Sequence, residues 1–352
     1  MSPDVGRAHV RQGLRLAVAV TIGLSVEVLR DAALPFLAPM VALQLLAASP
    51  FVPTIGAVAL LLVVACGTAI LVYGVATLTL SIPGVYVIGM LLLYLWGFAL
   101  CFIPRFRSAG SLAVTIIVIV SSLATASTGL ALGLVSELVL AVLGGIALMF
   151  FAHAVFPNPP DYTAPAPSLA AEEAARIPPI ARAVLATIIM LPLHLSLTSD
   201  GVPAIVVLMT TATLLRQPGV AQLRQYAVAF GLGNLLGGVL ATVSAFLFHL
   251  HGEFLLLVAV TAATSLFLST CFIATDRWGP VYLPGFVTYV TLFGLTLSSL
   301  PMGSEVAVLP RVLQIAAAAV YVFAAVSLLL PLINRFLNHP QLSKNRIDTS
   351  TA

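Results

Sequence analysis

The chemistry open to this chain rests on a few ionisable and hydrogen-bonding residues set in long apolar runs. Glu27 lies twelve residues after Arg15, and His194 lies twelve residues after Arg182. At 1.5 Å per residue that is about 18 Å along a helix, past the middle of a membrane. A carboxylate and an imidazole at matched depth form a pair able to take up and release a proton, because histidine titrates near neutral pH. Ionisable groups inside membrane helices are costly, which makes each a functional candidate. The competing reading places both in the outer headgroup region. Arg311, after Pro310, and Gln314 one turn further in offer a guanidinium fork and an amide for a substrate carboxylate; a snorkelling anchor or a partner for Glu305 is the alternative. Gln44 in one short apolar run and Thr210, Thr211 and Thr213 in another, with Met209 as an adaptable contact, could line a cavity that holds a ring against apolar walls. Threonines bonded to their own helix backbone are the plainer account.

Other chemistries find little support. The alternation His249, His251, Glu253 could gather metal ligands, but it falls in a short polar stretch that reads as a solvated turn. No GxSxG elbow or HExxH motif occurs, so catalysis is not expected, and nothing in the chain calls for a cofactor. The sole lysine, Lys344, stands near the C-terminus, which excludes a GxxxxGK[ST] nucleotide loop. Cys66, Cys101 and Cys271 lie in apolar runs and read as small hydrophobes. Gly233 and Gly237, a GxxxG pair accompanied by Gly231, Asn234 and Gly238, predict close helix packing.

The elements that must position these residues follow from composition. Of 352 residues, 61% are apolar and 8% charged, against roughly 45–50% and about 25% in soluble domains. With a mean hydropathy of +1.13, the outer face must meet lipid, so the expected fold class is an all-α polytopic membrane protein. Apolar runs bounded by Pro, Gly and charge fall at 14–29, 34–48, 55–78, 86–103, 111–126 and 138–156, then at 180–197, 202–215, 226–248, 254–273, 285–300 and 307–333. That predicts about twelve spans. With the N-terminus inside, thirteen of the fifteen basic residues, among them Arg105, Arg107, Arg216 and Arg277, lie at the inner face, and only Arg30 and Arg311 lie outside.

The two sets of six look like copies. At an offset of 168, Pro35 matches Pro203, Leu46 matches Leu214, Pro50 matches Pro218 and Gly84 matches Gly252; at 167, Arg15 matches Arg182 and Glu27 matches His194. The expected organisation is a first six-helix repeat over 1–156, a cytoplasmic Pro-rich linker over 157–179, a second repeat over 180–334 and a cytoplasmic tail over 335–352. Because the first run recurs internally, the basic N-terminal stretch reads as a span and not as a removable signal. The two shortest runs, both Pro-marked, hold corresponding places in the halves, which is the best sequence pointer to a transport site.

The segment 210–241, TTATLLRQPGVAQLRQYAVAFGLGNLLGGVLA, with LQLLAASPFVPTIGAVALLL in the first half, resembles the fusaric acid resistance and aromatic acid exporter family of bacterial inner-membrane proteins. In that family a "QP" turn precedes an Arg-bearing, Gly-rich span. The chain departs from larger members in carrying only a short linker where they carry a cytoplasmic domain. The resemblance implies export of small aromatic or amphipathic carboxylic acids from the inner membrane of a Gram-negative bacterium, with both termini cytoplasmic. It also implies a periplasmic membrane-fusion adaptor leading to an outer-membrane channel. Proton drive is expected, no nucleic acid is, and lipid is the surrounding partner. The alternatives are a non-transporting scaffold for an adaptor complex and an integral-membrane lipid-modifying enzyme.

Overall fold

The computed structural model of the chain describes residues 3–126, 128–158, 178–197, 202–216, 220–274, 279–298, 317–318 and 320–329. All regular structure among them is helical. The first half supplies α1 (Pro3–Leu29), α2 (Leu37–Ala48), α3 (Ile55–Thr79), α4 (Pro83–Phe102), α5 (Arg107–Ala126) and α6 (Thr128–Val155). The second supplies α7 (Pro179–Ser196), α8 (Val202–Leu215), α9 (Val220–His251), α10 (Phe254–Ala274) and α11 (Gly279–Thr296). A last described segment, α12, covers Val320–Leu329. Eight of the described helices are long and apolar enough to cross a membrane, while α2, α12 and the apolar stretch Val281–Thr296 within α11 are shorter.

Helix boundaries follow local chemistry. Pro83 and Pro179 open α4 and α7, where a missing N–H costs nothing because the first turn has no acceptor for it. Thr54 caps α3 by accepting from the Ala57 N–H at 3.3 Å. The α1 terminus closes in a Schellman arrangement: the Ala32 N–H reaches the Glu27 carbonyl and the Asp31 N–H reaches that of Val28. Asp31 therefore takes a left-handed φ of 54°, as Gly252 does at 62° between α9 and α10. Several helices start before their apolar runs, α1 and α6 furthest: α1 takes in Arg7 and Arg11, and α6 begins ten residues before Leu138, so that Glu137 stands inside a helix. His249 and His251 belong to the last turn of α9 and not to a loop, and His249 Nδ1 lies 2.7 Å from the Ala245 carbonyl.

In lipid, helices associate through close packing more than through hydrophobic burial, so small residues mark the tightest contacts. Gly233 and Gly237 of α9 back onto Gly285 of α11, and a Cβ at either would run into the carbonyls of Val281 and Gly285. In the first half α3 packs on α5 with Ala65 and Ala69 buried on its face. The helices interlock across the chain: α1 packs on α10, α7 on α4, α2 on α11 and α8 on α5. Ile55, Val63, Leu78, Ile180 and Leu255 face outward, as a lipid-facing surface requires.

Candidate functional site

An enclosed polar site within candidate spans lies where α4 meets α7. His194 is 1% exposed, and its Nε2 and Nδ1 stand 3.2 Å from the hydroxyls of Tyr86 and Tyr94. Tyr86 and Tyr94 sit eight residues apart on one face of α4, about 12 Å along the axis, and the imidazole spans the interval. The Tyr94 ring also meets the imidazole edge-on at 5.6 Å. Pro192 lies inside α7 just before the histidine; lacking an N–H, it interrupts the backbone ladder one half-turn from the site. The arrangement accepts either protonation state. A neutral imidazole donates to one tyrosine oxygen and accepts from the other hydroxyl, whereas an imidazolium donates to both.

Glu27 has a different setting. It is 6% exposed, and its carboxylate receives Arg30 at 2.6 Å, while the same guanidinium reaches Glu137 of α6 at 2.7 Å. The hydrogen bond Arg30 donates to Glu27 is the main reason Arg30, just beyond the span, is pushed further above its ordinary range, so it stays charged at any working pH. Glu27 thus meets α6, whose Gly144 lies beside its carboxylate, whereas His194 packs with α4.

The short helices are buried between the halves, but their polar residues divide. Thr213 Oγ1 donates to the Met209 carbonyl at 2.8 Å, the backbone use of a threonine. Thr210 and Thr211 are buried, and Thr211 Oγ1 has no hydrogen-bond partner among the described residues. Met209 and Gln44 are half-buried. Arg311 and Gln314 lie outside the described residues, as do 159–177 of the linker and the tail.

Two arginines at matched positions form the most unequal pair. Arg15 is fully buried and donates to the carbonyls of Phe156 at 2.7 Å and Pro50 at 3.1 Å and to Asn158 Oδ1 at 2.6 Å. It thereby serves the C-terminal ends of α2 and α6, where carbonyls are unpaired and the helix dipole is negative. Arg182 instead lies face-on over the Phe102 ring at 4.0 Å, and its Nη2 is buried with no hydrogen-bond partner among the described residues.

A third polar feature joins α9, α10 and α11. The Tyr289 hydroxyl lies beside those of Ser244, Thr261 and Thr264. The buried oxygens of Tyr289, Thr261 and Ser265 close no hydrogen bond among the described residues. Sequence reasoning passed over Tyr86, Tyr94 and Tyr289 because a tyrosine in an apolar run reads as core. The eight-residue spacing of the first two, which puts both hydroxyls on one helix face, was the available signal. Among the described residues no group of three His, Cys, Asp or Glu is gathered as a metal site. No family model, characterised protein or solved structure matches the chain.

Proposed function

We propose that this chain is a membrane transporter of two parallel six-helix repeats, about twelve spans in all. It would export small aromatic or amphipathic carboxylic acids from a bacterial inner membrane, driven by protons that pass through His194. Reciprocal packing supports the repeat: the first helix of each half packs on the fourth of the other, and the second of each on the fifth of the other. Ala65 and Ala69 stand 168 residues before Gly233 and Gly237, so the small-residue face recurs as well. Parallel repeats that meet about an axis along the membrane normal are an established transporter plan.

The observation that carries the reading is the buried His194 between Tyr86 and Tyr94, at a contact between the halves and within candidate spans. An imidazole there is costly unless it is used. Glu27, tied to Arg30, holds α1 against α6 in this reading. The substrate class rests on the resemblance of the 210–241 segment, as does a membrane-fusion adaptor that hands substrate to an outer-membrane channel. One proton moved down about 150 mV yields about 3.5 kcal/mol, enough for a concentration ratio of several hundred. In proteoliposomes, a pH gradient should drive benzoate accumulation by the wild type, and His194→Asn, still inserted and monodisperse, should lose the gradient-driven part. Equal accumulation by the variant removes His194 from coupling; no accumulation by the wild type under any gradient removes the transport reading for this acid.

A further inference from the structure

One end of the α4, α5, α7 and α8 group concentrates positive charge. Arg105 and Arg107 stand at the start of α5, Arg182 in the first turn of α7 and Arg216 just past α8. Gly110 lets the α5 backbone close directly on Cys101 of α4, which brings the start of α5 to the end of α4. Arg107 is near enough for its charge to be felt at Arg182, and the charges of Arg107 and Arg216 are both felt at Cys101. Arg216 donates Nη1 to Ser111 of α5 and Nε to the Ala212 carbonyl at 3.1 Å. Among the described residues no salt bridge to Arg105, Arg107 or Arg182 occurs.

Like charges gathered at a membrane boundary repel one another, and a guanidinium nitrogen that is buried without an acceptor carries its full desolvation penalty. The cost at Arg182 is avoidable in this fold, because Arg15 at the matched position is fully engaged by backbone carbonyls. The Phe102 ring lies 4.0 Å from the Arg182 guanidinium carbon, a cation–π contact that uses none of the N–H donors. A guanidinium fixed by an aromatic face presents a planar fork, the geometry that grips a carboxylate or a phosphate through two oxygens. Nη2 itself is buried, but the side chain as a whole is only partly covered, so an oxyanion can approach the outer nitrogens of the guanidinium.

We propose that Arg182, backed by Phe102 and flanked by Arg107, is an anion-binding site at the seam between the halves, taking the carboxylate of a small organic acid or the phosphate of an anionic lipid headgroup. As the place where exported acids are loaded, it rests on the transport reading; as an anion site it stands on its own geometry.

Equilibrium binding tests it without any gradient. Two probes are used on the full chain: benzoate, by calorimetry in a neutral detergent, and phosphatidylglycerol, by native mass spectrometry after delipidation and back-titration. The site predicts that at least one probe binds, that Arg182→Gln weakens it at least tenfold, and that Arg182→Lys weakens it less. Benzoate binding alone assigns a soluble acid, and phosphatidylglycerol binding alone assigns a lipid. Arg107→Glu, on an exposed side chain that folding does not need, should also weaken binding severalfold, with the effect shrinking as salt rises. Failure of both probes, or wild-type affinity in Arg182→Gln and Arg107→Glu, overturns the site. A protein that binds benzoate but accumulates none would count against the transport reading alone.

Discussion

Near the middle of α1, Arg15 spends its donors on the carbonyls of Phe156 and Pro50 and on Asn158; in the first turn of α7, Arg182 lies on a phenylalanine ring with one nitrogen unserved among the described residues. The same residue type at the same interval before a polar residue, Glu27 in one half and His194 in the other, has been put to two uses. The difference lies in what surrounds each arginine. Two helix C-termini converge on Arg15 and offer acceptors that need a cation. The end of α4 offers Arg182 an aromatic face and other arginines. A buried charge engaged by the fold stabilises it, whereas one without acceptors is tolerated where something else supplies them.

The largest effect that would sharpen this comparison is on stability. Arg15→Met should leave the Phe156 carbonyl and Asn158 Oδ1 without this donor, at about 1–3 kcal/mol for each acceptor left bare, while the Pro50 carbonyl keeps the Asn158 amide at 2.9 Å. The total loss is expected at about 2–5 kcal/mol in an SDS-unfolding titration. Arg182→Met removes a poorly served charge and keeps its apolar stem, so its change should stay under about 1 kcal/mol. Similar losses in the two variants would mean that the matched positions share one structural job.

A smaller effect concerns Phe102. Phe102→Leu should cost about 1–2 kcal/mol through lost ring volume and cation–π contact. In the Arg182→Met background part of that cost should vanish, giving a coupling of about 0.5–1 kcal/mol in a double-mutant cycle. Additive losses would show that the ring packs for its own sake and does not hold the guanidinium.

The membrane class and most helix positions were legible because they depend on hydrophobicity and spacing, which a sequence carries directly. The run 202–215 coincides with α8. The starts of α1 and α6 were misread because polar residues such as Arg11 and Glu137 lie within helices that project past the apolar run. The separation of Glu27 from His194 was not legible, since whether two matched residues meet depends on which helices pack together. Here α1 goes to α10 and α6 while α7 goes to α4, a long-range fact no local pattern encodes. The same holds for Arg30, whose reach to Glu137 joins residues 107 positions apart.

That reach gives the smallest and most discriminating test of the comparison between the two proton candidates. Arg30 is about one-third exposed and Glu137 about one-quarter, so water screens their bridge, and Glu137→Gln should cost about 0.2–1 kcal/mol. Glu27 is more enclosed, but glutamine at that position can still accept from the Arg30 guanidinium, so Glu27→Gln should cost only about 1 kcal/mol. Neither change touches the Tyr86, His194 and Tyr94 site, so gradient-driven benzoate accumulation should retain its pH dependence in both. If Glu27→Gln instead abolishes that dependence as His194→Asn is expected to, the proton route includes the Arg30 bridge, and the contrast between a paired carboxylate and an imidazole free to change protonation state fails.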